Sequence, residues 1–168
     1  MANSKGLFAY YPSTGIDFST TIRTAAGTGS GWASRDFNDV RLLNTADASK
    51  VAMDKAVRSR EAKAIAPGKY TVILEPAARV TLINNMAGSM NRRLADEGRS
   101  FLSKEGGETK IGEKLFDERV TVYSDPQNAD NPYSPWSGDG QAHAKRTWIK
   151  DGVVQQLPCS RYWAKQKE

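Results

Sequence analysis

Few residues in this 168-residue chain are of the types that metal or nucleophilic chemistry requires. It contains one histidine, His143, and one cysteine, Cys159. A zinc site normally takes three or four protein ligands, so we predict no catalytic residue, no metal site and no cofactor. A Cys–His nucleophilic pair would have one residue of each type but no local motif to support it. We interpret His143 as an exposed turn residue and Cys159 as a small apolar packing residue.

Two loops contain residues of ligand-binding types without the spacing that ligand binding needs. The run Gly27–Trp32, GTGSGW, lacks the lysine of a P-loop and the last glycine of a dinucleotide-binding loop. It also lacks the G-x-S-x-G pattern of a serine nucleophile, so we interpret it as a turn. The loop at residues 127–141 is rich in Asp and Asn but has no EF-hand pattern, which disfavours calcium. Loops of this length are often functional.

The composition is ordinary for a soluble protein. A single cysteine precludes an intrachain disulfide, which fits a reducing compartment. No apolar run approaches the roughly 20 residues of a membrane span. The N-terminus lacks the apolar core of a secretory signal. We therefore expect a cytoplasmic protein with no membrane segment.

The net charge of +5 is unevenly distributed along the chain. Residues 41–99 contain eleven basic and six acidic residues, whereas residues 100–142 contain four basic and eight acidic residues. A surface that binds single-stranded nucleic acid usually combines basic residues with interleaved aromatic ones, and the basic segment of this sequence lacks that pattern. Charge therefore indicates distinct solvated faces and does not favour nucleic-acid binding.

The N-terminal third predicts a β-hairpin followed by a helix. Leu7–Tyr11 and Ile16–Thr24 have strand character, and the turn residues Pro12–Gly15 lie between them. Apolar and polar residues alternate along the second strand with a period of two. Asn44 or Thr45 is a suitable N-cap for a helix that continues to about Ser59 and has a narrow alanine-rich face.

The centre of the chain predicts a strand and then a helix packed on it. Tyr70–Leu74 is short, β-branched and aromatic, which is typical of a buried strand. Pro76 is well placed in the first turn of a helix that ends near Gly98. The apolar face of this helix comprises Val80, Ile83, Ala87, Met90 and Leu94.

The last third predicts short strands among long loops. Val120–Tyr123 has strand character, and Ala144–Lys150 and Val153–Leu157 form a hairpin through an Asp-Gly turn. A helix begins near Ser160. The fold class is therefore α+β, with antiparallel hairpins at both ends around a strand–helix core. We expect one domain or fragment, divided into an N-terminal hairpin region (1–40), a helix–strand–helix core (41–103) and a loop-rich β region (104–168).

Five segments of the chain occur together in one known family: GKYTVILEP (68–76), EGRSFLS (97–103), GEKLFDERVTV (112–122), SDP (124–126) and SRYWAK (160–165). In this order they resemble the TldD/PmbA family, the "modulator of DNA gyrase" proteins, which are classed with metallopeptidases. The similarity is closer to the PmbA (TldE) branch and runs from about Leu7 to Lys165. Because family members are several hundred residues long, the resemblance implies an excised part or a short relative with a partial TldD/PmbA-like fold.

The resemblance also implies where a zinc site would lie. The TldD branch carries a HExxxH-type motif, in which two histidines bind zinc and the glutamate acts as general base. Leu74 and Arg79 stand at the two histidine positions of this chain. Neither side chain can bind zinc, so only Glu75 remains of the motif, and we predict a structural or polar role for it.

What the resemblance implies is a non-catalytic PmbA/TldE-like subunit that is inactive alone. It would support proteolysis of peptides or unfolded segments together with a TldD-like partner. A nucleic-acid or gyrase-associated module is the alternative, and a metallopeptidase with unusual ligands is a second one. We also expect self-association or a partner subunit, because a partial fold leaves strand edges and apolar groups uncovered. The groups expected to be exposed are Val153, Val154, Leu157, Tyr162 and Trp163.

Overall fold

The computed structural model describes residues 1–167 and divides into two compact units. The first unit is Met1–Ala78, and the second begins at Arg79. Each unit has its own antiparallel sheet and its own buried residues. The predicted α+β class with antiparallel strand pairs is therefore confirmed.

The first unit is built on a two-stranded antiparallel hairpin. Strand β1 (Ile16–Arg23) pairs with strand β2 (Ser30–Phe37) along its whole length, from Ile16 opposite Phe37 to Arg23 opposite Ser30. In the connecting turn the Thr24 amide donates to the Gly29 carbonyl at 2.9 Å. The predicted strand at Ile16–Thr24 is thus confirmed, with the alternating exposure that its sequence pattern indicates.

The predicted partner of β1 was wrong. Leu7–Tyr11 is not a strand, and its residues form only an isolated bridge between Ala2 and Phe8. Phe8 and Tyr10 are largely exposed, so this segment gains no buried face from pairing with β1. The chain pairs β1 with the glycine-rich segment instead, and the second half of the predicted GTGSGW turn, residues 30–32, belongs to β2.

Helix α1 (Thr45–Arg58) packs closely on β2, and its predicted start is confirmed. The Asn44 side chain caps it by accepting from the Asp47 amide at 3.1 Å. The residues that meet β2 are small: Ala48, Ala52 and Ala56 are buried. A Cβ built at Gly31 would lie 2.0 Å from the carbonyl oxygen of Ala52. Glycine is therefore required where the helix backbone approaches the strand.

The predicted strand at Tyr70–Leu74 was wrong. No other segment of residues 1–167 pairs with it. Neither this segment nor the residues before it, from 61 onward, make a backbone-to-backbone hydrogen bond. Ile73 is 99% exposed. The β-branched composition indicates a preference for extended backbone, but a strand also needs a neighbouring strand to satisfy its amides.

The predicted central helix is present but broken and unpacked. Helix α2 (Pro76–Ser89) begins at Pro76, as expected, yet none of its residues is buried. A separate helix α3 (Arg92–Asp96) follows, capped by Asn91, whose side chain accepts from the Leu94 amide at 3.2 Å. The prediction of one long helix packed on a strand is therefore wrong. Of its predicted apolar face only Met90, at the break, is buried.

The second unit is organised around a three-stranded antiparallel sheet. Strands β3 (Val122–Ser124), β4 (Arg146–Lys150) and β5 (Val153–Val154) lie in that order. The turn between β4 and β5 has positive φ at Asp151 (50°) and Gly152 (79°), which a type I′ turn requires, and the predicted hairpin is confirmed. The core of the unit comprises Met90, Ala95, Leu102, Ile149, Val154 and Leu157.

Helix α4 (Arg161–Gln166) begins after Ser160, as expected, and the Ser160 side chain caps it by accepting from the Trp163 amide. The Trp163 indole N–H donates to Asp96 Oδ2 at 2.8 Å, and Arg92 Nε lies 2.9 Å from the other carboxylate oxygen. The Asp96 side chain is only 2% exposed. The prediction that the apolar groups of the C-terminal segment are exposed was wrong. Val154 and Leu157 are buried, and of the five residues predicted to be exposed only Tyr162 is largely exposed.

Candidate functional site

The residues at the predicted motif position do not come together as metal ligands. Leu74 is exposed, and Arg79 lies exposed in the first turn of α2. The Glu75 carboxylate forms an ion pair with Lys55 Nζ at 2.7 Å, and the same ammonium donates to the Trp32 carbonyl at 2.8 Å. Glu75 is thus tied to α1 directly and to β2 through Lys55.

The chemistry available at this position is limited by residue type. A leucine side chain has no donor atom, and an arginine has no free lone pair to offer a metal. Within residues 1–167, no three His, Cys, Asp or Glu side chains lie close enough together to hold a metal ion. The Lys55–Glu75 pair is partly solvated, so it contributes at most about 1 kcal/mol to stability.

A cleft in the second unit contains the only histidine and the only cysteine of the sequence. Its volume is about 630 Å³, within the range of roughly 300–1,000 Å³ that small-ligand sites occupy. Strands β3 and β4, the loop at residues 133–144 and the segment at residues 158–160 form its walls. The polar and aromatic side chains that line it are Asn91, Ser124, Tyr133, Ser137, Asp139, Gln141, His143, Arg146, Trp148, Cys159 and Ser160.

His143 is half-buried, contrary to the expected exposed turn residue. Its Nδ1 lies 2.9 Å from the Ser134 carbonyl oxygen, and its ring centroid lies 5.5 Å from that of Tyr133. Because a carbonyl only accepts, Nδ1 carries the proton and Nε2 is the acceptor of the neutral ring. Cys159 is exposed rather than packed, because the chain turns from Pro158 into α4 at this point.

The cleft has charged groups of both signs. The Ser137 hydroxyl and then the Gln141 amide donate to Asp139, and these hydrogen bonds lower the pKa of its carboxyl to about 2. Arg146 is exposed, and its guanidinium makes no hydrogen bond or ion pair with any part of the chain that the structure describes. The cleft therefore presents a carboxylate that is ionised at neutral pH and a guanidinium that is free to bind a ligand.

Sequence reasoning did not find Arg146, Trp148 or Tyr133 as site residues. Arg146 and Trp148 are two residues apart on β4, so they lie on the same face of the strand. The Trp148 indole N–H donates to Ser124 Oγ on β3 at 3.0 Å, which fixes the ring in the cleft wall. The predicted strand at Ala144–Lys150 contained this alternation, but nothing local indicated which face would border a cleft.

Comparison with protein families covers nearly the whole chain. The model of the PmbA/TldA metallopeptidase C-terminal domain matches residues 67–168, more than half of the chain. This chain belongs to the TldD/PmbA family. The model of the PmbA/TldA metallopeptidase central domain matches residues 1–63, so parts of two domains of the family are present. No curated protein matches the chain.

Solved structures share the fold of this family member. A protein described as a modulator of DNA gyrase from Bacteroides thetaiotaomicron is 21% identical, with a TM-score of 0.75 over 91% of this chain and 34% of that one. A second, from Thermotoga maritima, is 19% identical, with a TM-score of 0.77 over 91% and 35%. TldE from Thermococcus kodakarensis is 18% identical, with a TM-score of 0.63 over 90% and 34%. The chain thus spans about a third of the length of these relatives.

Proposed function

We propose that the chain is a non-catalytic, PmbA/TldE-like part of a TldD/PmbA-type peptidase. In this role it supports cleavage of peptides or unfolded segments by a TldD-like partner that carries the zinc motif. The observation that carries the proposal is the state of the motif position. Leu74 and Arg79 offer no zinc ligand there, and the carboxylate of Glu75 is engaged by Lys55.

A partner subunit is supported by apolar side chains that lie exposed in the segment of the first unit that precedes α2. Monomeric proteins rarely expose large apolar surfaces, and such surfaces mark protein–protein contacts. In the first unit these residues are Tyr70, Val72, Ile73 and Leu74. We therefore place the contact with the TldD-like subunit here, and not at the C-terminal hairpin, whose Val154 and Leu157 are buried.

The test is assembly and peptidase activity with a TldD-like subunit that has both motif histidines. We expect the chain alone to cleave no peptide, and the mixture to form a complex with raised activity. Ile73→Glu should prevent the complex, whereas Tyr10→Glu, another exposed apolar residue of the first unit, should not. Activity of the chain alone, or equal behaviour of the two variants, would contradict the proposal or its interface.

Metal analysis gives an independent test. We expect protein purified without a histidine tag to contain less than stoichiometric zinc, because the chain has one histidine and one cysteine. One tightly bound zinc per chain would favour the alternative of a metallopeptidase with unusual ligands. The control is a TldD-like subunit prepared in the same buffers, which should retain its zinc.

The basic segment gives little support to a nucleic-acid or gyrase-associated module. Five of its basic side chains are engaged by nearby carboxylates and so do not form a free phosphate-binding surface. The pairs are Arg41–Asp39, Lys55–Glu75, Arg92–Asp96, Arg93–Glu97 and Arg99–Glu97. The nucleic-acid or gyrase-associated module is therefore the second candidate function, behind the PmbA/TldE-like role.

A further inference from the structure

We propose that the cleft of the second unit binds a short peptide as a zwitterion. The peptide's C-terminal carboxylate binds at Arg146, and its α-amino group binds at Asp139. The choice of a peptide rests on the proposed function. The arrangement of opposite charges rests on the cleft itself.

The carboxylate end is assigned by the guanidinium of Arg146. It borders the cleft on β4 and has no hydrogen-bond or ion-pair partner within residues 1–167. A guanidinium can donate two parallel hydrogen bonds to a carboxylate, which gives it both affinity and orientation. Trp148, two residues along the same strand face, lies beside it in the cleft wall.

The amino end is assigned by Asp139. Ser137 donates to one of its carboxylate oxygens and Gln141 donates to the other at 2.9 Å. Each oxygen keeps a lone pair for a further donor. Arg161 lies near enough to act on Asp139 through space but forms no ion pair with it within residues 1–167, so the ionised carboxylate stays available to a ligand's ammonium group. A ligand with one charge of each sign satisfies both groups.

The cleft wall also offers aromatic surface to the middle of a peptide. Tyr133, His143 and Trp148 supply ring surfaces to the wall, and all three are half-buried. His143 is held by the Ser134 carbonyl and Trp148 by Ser124, so neither ring needs to be ordered on binding. Fixed aromatic surfaces of this kind pack against an aromatic side chain at low entropic cost.

Cys159 provides a direct measure of occupancy. It is the single cysteine of the chain, it is exposed, and it lines the cleft. Its rate of alkylation by iodoacetamide should fall when a peptide fills the cleft. The probes are the tripeptide Ala-Phe-Ala and its N-acetylated, C-amidated and doubly blocked forms. We expect the free peptide to protect Cys159, each single block to weaken binding by about tenfold or more, and the doubly blocked peptide not to protect.

Variants assign each end of the peptide. Arg146→Gln should abolish the preference for the free over the amidated peptide, whereas Lys150→Gln, an exposed change outside the cleft on the same strand, should retain it. Asp139→Asn keeps the shape of the side chain and should abolish the preference for the free over the acetylated peptide. Circular dichroism of each variant verifies the fold. Equal protection by all four peptides, or none at millimolar concentration, would overturn the inference.

Failure of this inference is distinguishable from failure of the proposed function. Loss of partner-dependent peptidase activity, with charge-dependent protection of Cys159 intact, would contradict the proposed function and support the cleft. Partner-dependent activity without protection of Cys159 would contradict the cleft alone.

Discussion

The substitution Gly31→Ala tests whether the contact between α1 and β2 organises the first unit. A Cβ at this position would lie 2.0 Å from the Ala52 carbonyl oxygen, 2.6 Å from the Ala56 nitrogen and 2.7 Å from the Lys55 Cβ. Two of these three obstacles are backbone atoms of the helix. The methyl group therefore cannot be accommodated by rotation of a side chain, and the helix itself must move.

The magnitude follows from that displacement. Real Cβ atoms essentially never approach another heavy atom more closely than 3.0 Å, so α1 must retreat by about 1 Å (3.0 − 2.0 Å). Overpacking of this kind costs about 1–3 kcal/mol, against a gain of about 0.4–1 kcal/mol from the stiffer unfolded chain. We expect a net loss of about 1.3 kcal/mol. For a unit of this size, that lowers Tm by roughly 5–10 °C.

Thermal unfolding by circular dichroism, with hydrogen exchange of the β1 and β2 amides to isolate the first unit, measures the effect. Gly15→Ala is the matched control, because a Cβ at Gly15 would have no heavy atom within 4 Å. We expect the control to unfold at or slightly above the wild-type temperature. If Gly31→Ala unfolded within about 2 °C of this control, the close contact would not contribute to stability and the reasoning would be refuted.

Three further predictions concern the second unit, α2 and the basic segment. Burial opposes ionisation of Asp96, but the hydrogen bonds from Trp163 and Arg92 outweigh it and lower its pKa below the ordinary value of 3.8. The stability that ionised Asp96 contributes is therefore present above pH 3.8 and lost as the pH falls below it. Chemical denaturation from about pH 5 to about pH 3 should show a fall in the free energy of unfolding that the Asp96→Asn variant lacks. Gly88→Ala, with no heavy atom within 4 Å of the new Cβ, should raise the free energy of unfolding by up to about 1 kcal/mol and increase helical circular dichroism. Binding of DNA should be weak, independent of sequence and lost near ~150 mM salt; submicromolar sequence-dependent binding there would contradict this.

The elements that sequence predicted well are those whose determinants are local. Asn44 lies three residues before the amide that it caps, so the start of α1 could be read from neighbouring residues. The Asp151-Gly152 turn likewise carries its own signal, because both positions need positive φ. Ser160 defines the start of α4 in the same way. None of these three predictions required knowledge of residues that are distant along the chain.

The features that sequence missed depend on partners distant along the chain. Tyr70–Leu74 has the composition of a strand, but the composition does not supply a neighbouring strand. Gly31 appeared to belong to a turn because the helix that requires its missing side chain lies some twenty residues further on. The cleft was missed for a related reason. His143 and Arg146 could be named as residue types, but the walls around them come from separate segments.

The exposed, extended segment between α1 and α2 has a practical consequence for handling the protein. Residues 60–76 are all exposed, and proteases cut most readily where backbone is accessible and unpaired. Arg60, Lys63 and Lys69 place trypsin sites within it. Brief digestion should therefore yield two fragments that correspond closely to the two family regions, 1–63 and 67–168. A preparation that runs as two smaller bands has been nicked at this segment.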